Sequence, residues 1–305
     1  LRSYPLDSLK RPVLDPVLSV GGAARSVGRD HDDRGVSMND IRDAHDERIK
    51  TALLLAAGSG SRLAPLTDSA PKCLVGMSGI PILERLVRTL RDYGFTRLVV
   101  VVGYESELIE DYLGDHLGDM EISYVVSSCY RTTNNIYSLW LARKIVDEPF
   151  LLIESDLVFD EILLKEMLKP DRVAISRQQP WMNGTTVTLN GKDKIGAFCL
   201  GEMSRVDAAH YKTVNIYSFS RSTWALISER LDSYIKAKRT SDYYEAVLAE
   251  MVAEGSLSLT PVFFDESRWY EVDTLDDLAA AERIFPRYTA IAKDISELTR
   301  SELTG

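Results

Sequence analysis

Gly58 and Gly60, which free the backbone, stand just upstream of Arg62 and Lys72, which carry charge. The Gly-Ser-Gly-Ser run at 58–61 lets the main chain turn sharply and present its N–H groups. A concavity of N–H groups suits an anion, phosphate above all. Arg62 and Lys72 add two cations, with Pro65 and Pro71 stiffening the link between them. An apolar run, a glycine turn, an arginine and a lysine, in that order, suggest a triphosphate site. Two familiar glycine motifs do not fit. A P-loop needs Gly-x-x-x-x-Gly-Lys-Ser/Thr, and no lysine follows these glycines at that spacing. The dinucleotide fingerprint wants a third glycine or alanine where Leu63 stands. A plain strand-to-loop corner would account for the glycines alone, but not for the ordered addition of Arg62 and Pro71-Lys72.

Carboxylates form the second group. Phe150–Phe159 reads as a buried strand carrying Glu154 and Asp156, whose period of two aims both into one cleft. Acids on an otherwise apolar strand need a cation or a donor. Asp273 precedes a helix opened by Thr274, and by itself reads as a solvated or capping acid. In Ser127–Leu141, Thr133 or Asn134 is placed to cap a helix over Ile136–Ile145. Side-chain amides at that helix start could read a base edge or a phosphate, or do no more than cap.

The elements that must hold these groups alternate. Thr51–Ala57 is an unbroken apolar run suited to a strand buried on both faces. An amphipathic helix follows at Ile80–Tyr93, then a strand at Thr96–Tyr104, an acidic helix at Glu105–Leu117 and a strand at Ile122–Val126. The alternation predicts an α/β fold: a doubly wound, mostly parallel but mixed sheet with helices on both faces. Ligands of such sheets sit beyond the carboxyl ends of the strands, where Gly58 and Gly103 fall. Polar Gln178–Thr186, with Trp181 and Asn183, and a hairpin over Thr185–Leu189 and Ala197–Leu200 predict a small β-rich subdomain on the acceptor side. Lys212–Phe219 alternates like a strand returning to the main sheet, and Pro261 puts its own strand at an edge. Residues 1–49 read as a flexible or loosely docked arm, 50–285 as the catalytic domain, and 286–305 as a helical tail or linker.

The net charge of −10 argues against a general nucleic-acid binder. Cys73, Cys129 and Cys199 lack metal-ligand spacing and cannot all pair, as expected of free thiols in a reducing cytoplasm. No apolar run is long enough for a bilayer and no signal peptide opens the chain, so neither membrane nor export is expected. His31, His45, His116 and His210 form no catalytic pairing with a serine or cysteine.

Leu55-Ala-Ala-Gly-Ser-Gly-Ser-Arg-Leu-Ala-Pro-Leu-Thr67 with Pro71-Lys72 resembles the signature of nucleotidyltransferases that activate sugar phosphates and phosphorylated alcohols. Asn134-Asn-Ile-Tyr-Ser-Leu139 is similar to a motif of CTP-dependent phosphocholine and phosphonate cytidylyltransferases, and Lys212-Thr-Val-Asn-Ile-Tyr217 to a stretch of the phosphonate group. The resemblance covers roughly residues 50–285. It implies a triphosphate cradle at Leu55, Ala56, Ala57, Gly58, Ser59 and Gly60, joined by Gly103, Thr133, Asn134, Ser138 and Glu154 as nucleotide contacts. Arg62 and Lys72 would be the catalytic cations, and Asp156 and Asp273 the ligands of Mg²⁺. Asn135, Trp181, Asn183, Lys212 and Asn215 would face the acceptor.

The activity so implied is transfer of CMP from CTP to a small phosphonate or phosphate monoester such as 2-hydroxyethyl- or 2-aminoethylphosphonate, with release of pyrophosphate. Phosphocholine remains open as the acceptor, as does a sugar or inositol 1-phosphate with another nucleotide. A regulatory subunit that kept the fold but lost catalysis is a different class; such chains lose the cations or the acids, and all four stand here. A homodimer, and a fused or partner biosynthetic enzyme, are compatible with the tail.

Overall fold

The structure, a computed structural model, describes residues 48–179, 182–191, 194–201 and 210–285. The expected arm (apart from residues 48–49), the tail at 286–305 and Trp181 lie outside the described residues. No described helix is long and apolar enough to cross a membrane.

The described residues lead into β1 (Thr51–Ala56), whose side chains alternate between two cores. Ala52, Leu54 and Ala56 enter one cluster, and Leu53, Leu55 and Ala57 the other. An unbroken apolar strand is the sequence form of a strand covered on both faces. Each fully buried leucine contributes about 1.5–3 kcal/mol. A small hairpin, β2 (Gly76–Met77) and β3 (Ile80–Pro81), leads into α1 (Ile82–Asp92), β4 (Arg97–Val102) and α2 (Ser106–Leu113). Next come β5 (His116–Leu117), β6 (Met120–Val126), α3 (Asn135–Ala142), β7 (Phe150–Glu154) and β8 (Leu157–Phe159). Then β9 (Arg172–Arg177), β10 (Thr186–Asn190), β11 (Lys194–Cys199) and β12 (Tyr211–Phe219) precede α4 (Arg221–Lys236) and α5 (Glu245–Ala253). The described chain ends with β13 (Thr260–Phe264), β14 (Trp269–Glu271) and α6 (Leu275–Ile284).

The main sheet has ten strands, with β7, β1, β4 and β6 parallel and adjacent at its centre. β12 runs antiparallel to β7 and brings in the β-rich extension: β10 and β11 flank its first half, and β9 and then β13 lie on its other edge. This is the mixed, mostly parallel core and the β-rich extension that the alternation predicts. Pro261 lies in β13, which among the described residues pairs only with β9 and so tolerates a missing donor.

Three readings need correction. The acidic helix ends at Leu113 rather than Leu117, because Gly114 takes φ 66° and His116–Leu117 turns back to pair with β6. The sequence pattern places Lys192 and Lys194 in the hairpin turn, whereas Lys194 belongs to β11. The strand that the sequence pattern places over Ser256–Phe264 starts at Thr260, four residues later. A third, smaller core of Leu63, Met77, Ile82, Val158, Tyr270, Val272 and Ala281 ties the signature loop to β8, β14 and α6. That packing sets Arg62 and Lys72 against Asp273, although more than 200 residues of chain separate Asp273 from either one.

Candidate active site

A cleft of about 1020 Å³ opens at the carboxyl ends of β1 and β7. Along one wall it is lined by Leu55, Ala56, Ala57, Gly58, Gly60 and Arg62. Gly60 takes φ +63°, which L side chains rarely adopt, and a Cβ there would stand 2.6 Å from the Cβ of Lys72. The glycine therefore serves two ends: it turns the loop, and it lets Lys72 lie directly against it. The loop is held closed by Thr67, whose Oγ1 donates to the Gly60 carbonyl at 2.9 Å. Tyr104 ties it to the end of β4, its N–H donating to the Ala57 carbonyl and its O–H to those of Thr67 and Asp68.

The charged centre is compact. Lys72 Nζ lies 2.7 Å from Asp156 Oδ2 and 2.5 Å from Asp273 Oδ1, and an Arg62 guanidinium nitrogen is 2.9 Å from the same Asp273 oxygen. Burial opposes the charge on Lys72, but Asp156 and Asp273 outweigh it and raise the lysine above its ordinary range, so it is cationic at any working pH. Asp156 Oδ1 is buried with no hydrogen-bond partner, an open acceptor beside a neutralised one. Glu154 is the last residue of β7, whereas Asp156 lies beyond it in a turn. The two carboxylates converge because the chain bends there, not through strand periodicity alone.

Asn134 caps α3 by accepting from the Asn135 N–H at 2.8 Å, and its own N–H donates to the Thr240 carbonyl at 2.8 Å. Asn135 Nδ2 donates to Glu154 Oε1 at 3.1 Å while its Oδ1 accepts from the Tyr244 N–H at 3.0 Å. The pair thus fixes both Glu154 and the entry to α5. Thr133 and Ser138 line the same wall. On the opposite wall, Asn215 holds φ +59° inside β12, where the register against β9 shifts. A non-glycine residue in that region marks a re-aimed side chain. Its Nδ2 donates to Glu271 Oε1 at 3.2 Å. Lys212 is almost wholly buried, donating to the Thr213 carbonyl at 2.7 Å and lying 3.5 Å from Glu271 Oε2. Asn183 lines the cleft nearby.

Of the residues singled out from sequence, Ser59 is exposed outside the lining and Gly103 stands behind it. A Cβ on Gly103 would meet the Ala57 carbonyl oxygen at 2.7 Å, so this glycine serves the close approach of two strand ends. Sequence reasoning missed Glu245, Glu271 and Arg239, which all line the cleft. Glu271 was within reach, standing two residues before Asp273. Glu245 opens an apolar helix and reads as an ordinary first-turn acid. Among the aromatics around the cleft, Tyr217, Tyr244 and Trp269 are core, while Tyr243 is exposed and lines it. Cys73 also borders it, but burial pushes its thiol up to about 12, which disqualifies it as a nucleophile.

Residues 51–192 match the family described as Nucleotidyl transferase. CMP-5'-(3-aminopropyl)phosphonate synthase of Streptomyces rubellomurinus is 30% identical over 242 residues, which is 76% of this chain. The chain belongs to the nucleotidyltransferase family. This nucleotidyltransferase spans 38% of the length of that phosphonate synthase. It is 25% identical over 246 residues to the choline-phosphate cytidylyltransferase of Streptococcus pneumoniae, matching 76% of its own length and 97% of that enzyme. The nucleotidyltransferase also shares its fold with the solved structure of CTP:phosphocholine cytidylyltransferase from the same organism. There the TM-score is 0.67 and the identity 22%, with 78% of this chain and 99% of that one covered.

Proposed function

We propose that this nucleotidyltransferase transfers CMP from CTP to a small phosphonate or phosphate monoester and releases pyrophosphate. One observation carries the reading: Lys72 sits between Asp156 and Asp273, directly against the glycine loop. An acceptor phosphonate is anionic near neutral pH and needs no strong general base. The task is to overcome repulsion between anions and to align an in-line displacement. The acceptor oxygen attacks the α-phosphorus, a new P–O bond forms, and the α–β bridging bond breaks to release pyrophosphate. The loop and Arg62 hold the outer phosphates, and Lys72 moves from its carboxylates to the α-phosphate and the incoming oxygen. Lys212, Asn183 and Asn215 hold the acceptor from the other wall. Thr133, Asn134 and Ser138 lie on the nucleotide side, with Asn135 fixing Glu154.

The donor set fits magnesium. Asp156 and Asp273 supply hard carboxylate oxygens, one of them without a partner, and among the described residues no cluster of three His, Cys, Asp or Glu offers a full cage. A cation held by two carboxylates and completed by phosphate and water is the habit of Mg²⁺. When bound, it would offset phosphate charge as the displacement proceeds.

A second reading, phosphocholine as the acceptor, is favoured by the nearly full-length match to the pneumococcal enzyme. A screen of CTP, UTP, dTTP and ATP against small phosphonates, phosphocholine and sugar 1-phosphates, scored by pyrophosphate, tests both. Turnover with CTP and a phosphonate is the expected result. Turnover with sugar 1-phosphates alone would refute the reading, and no turnover with any pair would favour a regulatory nucleotide-binding role.

A further inference from the structure

The signature loop leaves the body of the protein at Leu63 and rejoins it at Pro71, both of them buried. Between them only Thr67 is buried, at 4% exposed, while its neighbours on either side stand in solvent. Thr67 is held from two directions. Its Oγ1 donates to the Gly60 carbonyl at 2.9 Å, and its own carbonyl accepts from the Tyr104 O–H at 3.0 Å. The same hydroxyl reaches the Asp68 carbonyl at 2.9 Å, so its single proton is shared between two acceptors. At the loop's other leg, the Tyr104 N–H donates to the Ala57 carbonyl at 3.1 Å, immediately before Gly58. From its place just after β4, Tyr104 thus fastens both the entry and the return of the loop. Its ring also faces that of Tyr130 with centroids 6.3 Å apart, and Tyr130 lines the cleft together with Thr133. Gly103 permits this approach, because a Cβ there would stand 3.0 Å from the Cβ of Tyr130.

We propose that Tyr104 is a positioning residue for the triphosphate. Through Thr67 it holds the Gly60 turn in its phosphate-facing form, and through Tyr130 it holds the nucleotide wall beside that turn. This rests on the reading above, that the glycine loop holds the outer phosphates. Tyr104 itself lies outside the cleft lining, so its effect on substrate is exerted through these two neighbours. A cradle of N–H groups binds an anion only while its donors converge. Gly60 sits at φ +63°, and the hydrogen bond from Thr67 to its carbonyl fixes the peptide plane that follows the turn. Released from Tyr104, the exposed return leg gains conformers. Triphosphate binding must then order the leg again, at a cost in affinity. A nucleotide without its outer phosphates does not meet that cost.

Calorimetry on the purified chain with Mg²⁺ compares CTP with CMP, which share base and ribose and differ in the outer phosphates. Tyr104→Phe keeps the ring and loses the hydroxyl. It should lower the CTP-to-CMP affinity ratio by about threefold or more, whereas a general loss of structure would weaken both nucleotides alike. Tyr104→Leu also takes the ring away from Tyr130 and should weaken CMP as well. Thr67→Val should reproduce the effect of Tyr104→Phe, and Thr67→Ser should keep the wild-type ratio. The double variant Tyr104→Phe with Thr67→Val should lose little more than either alone, because the two bonds act in series. A smaller fall of the ratio in a folded Tyr104→Phe, or additive losses in the double variant, would overturn the proposal; unaltered CMP binding in Tyr104→Leu would overturn the link to Tyr130. If Tyr104→Phe does not fold, Thr67→Val against Thr67→Ser decides. Wild-type binding of CTP no tighter than CMP would remove the phosphate-loop reading, and the proposal with it. Wild-type preference for UTP or dTTP would remove only the choice of CTP, and the same comparison then runs on that nucleotide and its monophosphate.

Discussion

Replacing Lys72 with alanine removes the one cation among the described residues that touches both Asp156 and Asp273. The three side chains are 13%, 14% and 16% exposed, so the cluster is mostly but not fully out of water. Breaking a buried ion pair by deleting one partner costs about 3–5 kcal/mol. Here residual solvent and the Arg62–Asp273 contact reduce that figure. A metal-free loss of about 1–3 kcal/mol is expected, or roughly 2–10 °C in Tm for a domain of this size. Removing a preorganised cation from a charge-developing centre costs about 10²–10³ in rate. The two losses should respond differently to magnesium. Saturating Mg²⁺ should restore part of the Lys72→Ala stability, because the carboxylates then regain a counter-charge, while turnover stays low because no group reaches the α-phosphate. Scanning calorimetry with and without Mg²⁺, beside pyrophosphate release below the variant's Tm, separates them. A variant that keeps turnover within about threefold of wild type would refute the role assigned to Lys72.

Further expectations follow from the same contacts. Gly60→Ala forces a Cβ against that of Lys72 at 2.6 Å, so it should lower kcat/KM for CTP far more than it lowers Tm; equal activity in a CTP titration would contradict the loop geometry. Burial raises the Glu245 carboxyl to about 7, with the Glu271 charge also raising it and Lys212 opposing. A carboxyl raised on folding stabilises at low pH, so stability should decline as pH rises from about 4.5 to about 7; urea titrations across that window should show a shallower decline in Glu245→Gln. Thr274→Ala removes the capping box with Asp277 and should cost about 1 kcal/mol in chemical denaturation, while moving Asp273 enough to weaken Mg²⁺-dependent turnover.

Much of the site was legible because its residues are locally ordered. The glycine turn, Arg62 and Lys72 lie within fifteen residues of chain, and their order carries the chemistry. The parallel core was legible from apolar runs such as 51–57 and 98–102, which only a strand covered on both faces explains. The acceptor wall was less so. Glu245 has the same sequence appearance as any acid in a first helical turn, and becomes notable only when the fold buries it without a donor. Asn134 and Asn135 show the converse: a motif that suggests a ligand contact also spends its amides on capping α3 and anchoring Glu154. Helix and strand ends moved where a left-handed residue, Gly114, redirected the chain against its hydrophobic pattern.

The way β12 is shared has a consequence for how such an enzyme can be altered. Its second half is bonded to β7 through four residue pairs, but β10, and through it β11, joins its first half through only two, Thr186 with Lys212 and Val187 with Tyr211. Between the two halves stands Asn215 with its positive φ, where the strand changes register. The hairpin is therefore a graft on a strand that is already bent. An exchange of that hairpin between chains has two register pairs to reproduce and leaves the pairing of β1 with β7 and β4 untouched. The hairpin and the parallel core can in this way vary separately, on a single continuous strand.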